Sequence, residues 1–408
     1  MKQGWEFKKL GEICRIVNGG TPDTKVANYW DGEHLWITPK DMGGLQSKYV
    51  DNTSRKITSV GLKNSSAKLL PVNSVLLSSR APIGYLAINT REISTNQGCK
   101  GLVPKKGLDA HYLYYFLLGS VELLNELGSG TTFKELSGSK LSEICVPFPS
   151  IIEQKRIVST VDKFFAFITK TKSNAEQNLK NTKELFESYL QGVFENKGED
   201  WEEKTLTEVC EIKPGKKEAR DKLKETDFVT FLPMEDLGIL NKEIHGVKER
   251  QLKDVADSYT YFAENDILLA KITPCFENGK IGIARNLING VGFGSSEYIV
   301  FRTQGNIEPE FLYYFLSRNQ IRDEGIKYMS GAVGHKRISK YWIENYLVPF
   351  PKSLKAQQTI VQKLDVLSAE TKKIEAIYQK KINNLEELKK SILQKAFSGE
   401  LTKAEVVV

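Results

Sequence analysis

Two glycine-rich loops with basic ends carry side chains suited to gripping a polyanion. They are Gly128-Ser129-Gly130-Thr131-Thr132-Phe133-Lys134 and Ser330-Gly331-Ala332-Val333-Gly334-His335-Lys336-Arg337. Glycine lets backbone N–H groups approach a phosphate closely, and the flanking hydroxyls and cations add donors and charge. Arg80 stands at a turn after an apolar run, with Lys271 read as its counterpart further along the chain. Either donor can serve a phosphate or the acceptor edge of guanine. The amides of Asn96 and Gln97 suit adenine, whereas Ser296 and Glu297 stand in the matching segment, where Glu can accept from cytosine. Lys40, Lys100, Thr273 and Lys280 complete the set of candidate contacts. Each of these residues, taken singly, also fits an ordinary turn or solvated surface. The loops with basic ends are the stronger sets.

Other chemistries lack their residues. The four histidines form no HExxH or HxxxH pattern, and the five cysteines include no CxxC pair. That argues against a bound metal and for free thiols in a reducing cytoplasm. Gly215-Lys216 and Gly279-Lys280 do not complete a phosphate-binding GxxxxGK[ST] loop. There is no Asn-Pro-Pro-Tyr-like adenine methylase motif and no glycine-rich methyl-donor loop. Glu-x-Lys triplets such as Glu211-Ile212-Lys213 do not follow the single Pro-Asp, Pro22-Asp23. No apolar run nears the ~18–20 residues that span a bilayer, and the start of the chain lacks a signal-peptide pattern. With 58 Lys+Arg against 51 Asp+Glu, the net charge of +7 permits nucleic acid without demanding it.

The elements that must position these residues occur twice. Trp5-Glu6 with Leu10 and Cys14 recurs as Trp201-Glu202 with Leu206 and Cys210. Leu113-Tyr114-Tyr115-Phe116-Leu117 recurs as Leu312-Tyr313-Tyr314-Phe315-Leu316, and Val146-Pro147-Phe148-Pro149 as Val348-Pro349-Phe350-Pro351. Gln154 with Ile157-Val158 recurs as Gln357 with Ile360-Val361. These anchors keep one order and a spacing of roughly 200 residues, which marks a duplicated domain. Between the anchors the copies diverge: Lys40 to Leu70 has no clear counterpart in Glu235 to Glu264. Each copy opens with a mixed α+β globule, residues 1–150 and 198–352. The tryptophans, cysteines and Tyr-Tyr-Phe segments read as packing groups inside these globules.

Each globule is followed by a long helix, expected over 151–197 and 353–397, with 398–408 as a tail. Ile360, Leu364, Leu367, Thr371, Ile374, Tyr378, Lys381, Leu385, Leu388 and Ile392 follow a 4-3 spacing, which is a heptad seam. Ile157, Val161, Phe164, Ile168, Thr171 and Ala175 repeat it. About 40 residues at 1.5 Å each give a rod of about 60 Å. Antiparallel pairing of the two rods lets each carry a globule at the opposite end. The pair then has a pseudo-two-fold axis, like that of duplex DNA.

The ordered pattern resembles the specificity subunits of type I restriction–modification systems. The resemblance rests on the Pro-Phe-Pro exits, the helix start Glu153-Gln154-Lys155-Arg156-Ile157-Val158, the phrase Val75-Leu76-Leu77-Ser78-Ser79-Arg80-Ala81-Pro82-Ile83-Gly84, Asn96-Gln97-Gly98, and Ala396-Phe397-Ser398-Gly399-Glu400-Leu401. It covers nearly the whole chain. The second helix departs from it by opening Ala356-Gln357-Gln358 without the basic pair. The resemblance implies a non-catalytic subunit with two target recognition domains, each reading half of an interrupted, asymmetric DNA site. It implies helices that set the gap and dock two adenine-methylating modification subunits. S-adenosylmethionine would bind those subunits, and ATP with Mg would bind the motor/nuclease subunits. Three other readings remain open from sequence alone: a protein-only coiled-coil adaptor, a self-sufficient nuclease or methylase, and the same architecture in a methylase-only system.

Overall fold

The computed structural model describes residues 4–80, 82–130, 134–332 and 334–401. The chain divides into two compact units. One comprises residues up to Ala175 together with those from Lys380 onward; the other runs from Glu176 to Gln379. The unit boundaries therefore fall inside the long helices, Ile151–Glu195 and Leu354–Ser398. Each unit holds one globule, the start of the helix that follows it and the end of the other helix.

In the first unit a five-stranded sheet runs in the order Cys14–Asn18, Cys99–Pro104, Val75–Ser79, Ile83–Asn89, Tyr49–Val50. The pairs are antiparallel except the last. Val75-Leu76-Leu77-Ser78-Ser79 is buried throughout, as a central strand covered on both faces must be. A second sheet joins Arg55–Ile57, Trp30–Ile37 and Ile93–Thr95. The second unit repeats the first sheet as Cys210–Ile212, Tyr298–Thr303, Ile267–Ala270, Ile281–Ile283. Its other sheet is different: four strands, Lys248–Gln251, Phe228–Leu232, Val291–Gly294 and Thr260–Ala263. The segments that diverge in sequence build the sheets that differ.

A two-stranded ribbon closes each globule, Glu6–Lys9 with Cys145–Phe148 and Trp201–Thr205 with Leu347–Pro351. Cys14, Cys210 and the Tyr-Tyr-Phe helices, Ala110–Gly119 and Pro309–Leu316, lie mostly in the cores, with Trp5 and Trp201 packed against them. Asp109 caps the first of these helices, accepting from the N–H groups of His111 and Tyr112.

The repeated glutamine is a junction. Gln154 is fully buried; its Oε1 accepts from Asp109 N–H at 2.9 Å, and its Nε2 donates to the carbonyls of Gly107 and Pro149 at 3.0 and 2.9 Å. Gln357 does the same with Glu308 N–H and the carbonyls of Asn306 and Pro351, at 2.8, 3.0 and 2.8 Å. One side chain thus ties the helix start, the Pro-Phe-Pro exit and the globule together.

Within the first unit the two helix segments run antiparallel: Lys389 lies over the Phe165 ring, and Lys172 pairs with Glu386 at 2.7 Å. Ile157, Val161, Ile168 and Ala175 are buried, as are Leu385 and Ile392. The expected seam is only partly covered, however. Phe164, Ile374 and Leu388 remain more than 40% exposed. A pair of helices shields one flank of each seam, and heptad spacing alone does not say which flank.

Candidate nucleic-acid interface

The central strand of each large sheet ends at the candidate residues. In the first unit Ser79 donates its N–H to Gly98 at 2.8 Å and accepts from Leu136 N–H at 2.8 Å. In the second, Lys271 donates to Glu297 at 2.9 Å and accepts from Ile338 at 2.9 Å. The backbone bonds therefore equate Ser79 with Lys271, and Arg80 with Ile272. The pairing of Arg80 with Lys271 expected from sequence is off by one residue. Aligning the two cations conceals that register. The Asn96 turn and the Ser295 turn correspond: Asn96 Oδ1 accepts from Gly98 N–H at 3.0 Å, and Ser295 Oγ accepts from Glu297 N–H at 3.2 Å.

The described ends of the glycine-rich loops are held by hairpin pairing. Ser129 and Glu135 exchange both backbone bonds, at 3.0 and 2.9 Å. Ser330 pairs with Arg337 and Met329 with Ile338. Thr131 and Thr132 lie outside the described residues. Lys134, His335 and Lys336 are exposed at the hairpin ends.

Side chains from these segments converge. In the first unit Glu135 lies 3.7 Å from Arg80 and 3.9 Å from Lys100, whose side chain is nearly buried. Burial holds the Lys100 ammonium below its usual range. A Cβ on Gly98 would meet Pro39, Asn96 and the Arg80 Nε at 3.1–3.3 Å, and Lys40 is next in sequence to Pro39. Lys40 also lines a cleft of about 730 Å³ with Trp36, Asn52 and Arg55. The Thr21 hydroxyl donates to Gln97 Oε1. That contact needs Gly19, where a Cβ would fall 1.8 Å from the Asn96 carbonyl oxygen.

In the second unit Glu297 takes a two-pronged contact from Arg337, at 2.8 and 2.7 Å, and lies 3.9 Å from Lys271. The guanidinium lowers the Glu297 carboxyl, and burial lowers the Lys271 ammonium. Lys271 also donates to the Ser296 carbonyl at 2.8 Å. Thr273 donates its N–H to the Lys336 carbonyl at 2.9 Å and its hydroxyl to Glu277 at 2.8 Å. Lys280 stands apart: it donates to the carbonyls of Met234 and Glu235, at 2.6 and 3.2 Å, and so holds a loop. Sequence reasoning missed Glu135, Thr21 and Gly19. Glu135 directly follows Lys134, and Gly19-Gly20-Thr21-Pro22 directly follows the first strand of the large sheet, but neither fact reveals what folds against them.

The globules are also pinned to their helices in the same way twice. Asp162 accepts from Lys48 and Tyr115, and Asp365 accepts from Lys242 and Tyr314. Burial, reinforced by the carboxylate, raises both phenols, so each stays a donor. The lysines come from the segments that differ between copies, so each divergent segment is tied to the start of its unit's long helix. Among the described residues no cluster of three or more His, Cys, Asp or Glu could hold a metal, and no helix is long and apolar enough to cross a membrane.

Comparisons with known proteins agree with this arrangement. Residues 2–181 and 198–387 each match the type I restriction modification DNA specificity domain. The type I restriction enzyme MjaIX specificity subunit of Methanocaldococcus jannaschii is 28% identical over 98% of this chain and 94% of its own length. The EcoAI specificity subunit of Escherichia coli is 36% identical, but over 41% of this chain and 28% of its own length. Among solved structures, a chain from work on complex assembly and conformational transition of the type I R-M system superposes with a TM-score of 0.76 at 19% identity, covering 98% of this chain and 99% of that one. The HsdS subunit from Thermoanaerobacter tengcongensis gives 0.58 at 18% identity, covering 98% of each chain. Two successive copies of the domain, on a matching fold, make this chain a member of the type I restriction–modification DNA specificity (HsdS) family.

Proposed function

We propose that the two units read different half-sites of one interrupted, asymmetric DNA sequence, and that the paired helices fix the gap between them. The observation that carries this reading is the shared sheet-and-hairpin framework, which presents different side chains and a different second sheet in each unit. Hydrogen-bond donors and acceptors that differ read base edges that differ. Half-sites whose centres lie about one helical turn apart suit two such readers. Single-molecule methylome sequencing of a host expressing the chain with its modification subunit tests this. A four-residue insertion in both long helices adds about 6 Å. It is expected to widen the gap by about one to two base pairs at ~3.4 Å each, with both half-sites unchanged. Altered bases at an unchanged gap would refute the spacer role.

The phosphate grip is assigned to the hairpin ends. Lys336→Ala with Arg337→Ala is expected to weaken DNA binding and to flatten its salt dependence by one to two ions, at roughly 0.9 per lost phosphate contact. Equal affinity and slope in a salt titration would remove this hairpin from the interface.

In this reading the chain is a non-catalytic reader. Methyl transfer from S-adenosylmethionine belongs to two modification subunits, and ATP-driven cleavage to motor/nuclease subunits. Exposed apolar side chains on the helices support docking there: Phe167, Leu185, Val366 and Ile377 are each 64–66% exposed.

A further inference from the structure

The two units place the same three charges at the same spot, yet no charge of the same sign stands at the same position; the one shared position carries Glu135 in the first unit and Arg337 in the second. The first unit has Glu135 between Arg80 and Lys100; the second has Glu297 between Lys271 and Arg337. Backbone register makes the equivalences unambiguous. Arg80 corresponds to Ile272, and Ser79 to Lys271. Gly98 corresponds to Glu297, since each carbonyl accepts from that strand end. Lys100 corresponds to Ile299, since each pairs with the third residue of the central strand. Glu135 corresponds to Arg337, since each pairs with the serine of its hairpin. In one unit the carboxylate comes from the hairpin and the cations from the sheet. In the other the carboxylate comes from the turn and a cation from the hairpin. A pattern inherited with the framework would keep its positions. A pattern rebuilt from different positions points to a requirement of the site.

The requirement has a simple electrostatic form. Two cations a few ångströms from one acidic group form a cradle for a singly charged oxyanion, and here a carboxylate of the chain fills it. Left open, the cradle would bind any DNA phosphate, whatever the sequence. We infer that Glu135 and Glu297 are specificity-determining gates, each occupying the phosphate cradle of its unit so that DNA of unrelated sequence meets a like charge. This rests on the assignment of the strand ends and hairpins as the DNA interface. A matching half-site offsets that repulsion through base-edge hydrogen bonds, for which a carboxylate is an acceptor and the released guanidinium a donor. An unrelated sequence offers no such compensation, so discrimination arises from a built-in repulsive element.

The test compares the full chain with its Glu135→Gln, Glu297→Gln double variant. Binding is measured to a scrambled duplex and to a duplex carrying the site found by methylome sequencing. The expected result is scrambled-duplex affinity higher by roughly threefold to tenfold, with a salt slope steeper by about 1. Affinity for the cognate duplex rises less or falls, so the specificity ratio drops. Glu92→Gln, set against Glu135→Gln alone, is the control for net charge, one charge against one, since Glu92 is exposed at the opposite end of the Val75–Ser79/Ile83–Asn89 hairpin. Thermal melts of all the variants check that folding is intact. Unchanged scrambled-duplex affinity in the double variant, or a gain in the Glu92 control equal to that of Glu135→Gln alone, overturns the gates. If the unsubstituted chain shows no preference for the cognate duplex, the interface assignment fails instead.

Discussion

Arg302→Ala is expected to destabilise the second unit by about 3–5 kcal/mol, the range for leaving a buried charge without its partner. Arg302 Nε and an NH2 group hold both oxygens of Asp266 at 2.8 and 2.7 Å, and its other arm holds Glu218 at 2.6 Å. Asp266 is 1% exposed and also accepts from Ala263 N–H at 2.7 Å. Removing the guanidinium leaves that carboxylate in a cavity it cannot leave. Arg302→Lys is expected to restore little, because a point charge cannot reproduce a planar two-pronged contact. Denaturation of the full chain, followed by hydrogen exchange on residues 210–303, measures the loss. A loss below about 1 kcal/mol, the range of exposed pairs, would show the network to be peripheral. The effect extends to the short helix Lys217–Lys222, which carries Glu218 and follows the basic segment Lys213-Pro214-Gly215-Lys216. Hydrogen bonding from Lys222 and Arg302 outweighs desolvation and lowers the Glu218 carboxyl from 4.5 to about 2. A lowered acid stabilises the fold above its unfolded value, so this contribution fades as pH falls from 4.5 through about 2.

Gln357→Ala in the second unit, and Gln154→Ala in the first, are each expected to cost about 3 kcal/mol or more. Each change strands one N–H and two carbonyls in the interior, at roughly 1–3 kcal/mol per unsatisfied group before relaxation. For a unit of this size that is about 10 °C in Tm, at 2–4 °C per kcal/mol. The near-isosteric Gln→Glu change separates hydrogen bonding from volume. Glu keeps the acceptor for the backbone N–H but turns a second acceptor towards two carbonyls. Its carboxyl is expected to be raised by burial, so the variant loses further stability as pH rises above the unfolded carboxyl value of about 4.3. A pH-independent loss equal to that of alanine would mean that space, not hydrogen bonding, sets the role of these residues.

Much of the architecture was legible because it is periodic. The duplication, the two long helices and the buried aromatic helices follow from patterns that a sequence displays directly. What lay hidden was set by contacts between distant segments. Nothing near Arg80 announces Glu135 as its neighbour, and nothing near Asp266 announces Arg302. The misplaced equivalence of Arg80 and Lys271 shows the hazard. The second copy carries the extra stretch Cys275 to Lys280 beyond its Thr-Pro, and matching by charge hid a one-residue shift that only the ladder reveals. The half-covered seam shows another, since spacing marks an apolar stripe but not its neighbours. The candidate site was found as a neighbourhood. Which of its members face one another needed the fold.

The division of the units through the helices bears on the order in which the chain is made. The second unit is one continuous stretch, so it can fold as soon as it has left the ribosome. The first cannot. Its core includes Leu385, Ile392, Leu393 and Ala396, which pack with residues such as Leu113 and Ile157. The half synthesised earlier must therefore wait, its apolar surface open, until residues 385–396 appear. A stop or frameshift just before residue 385 would then damage the earlier-made globule and spare the later one.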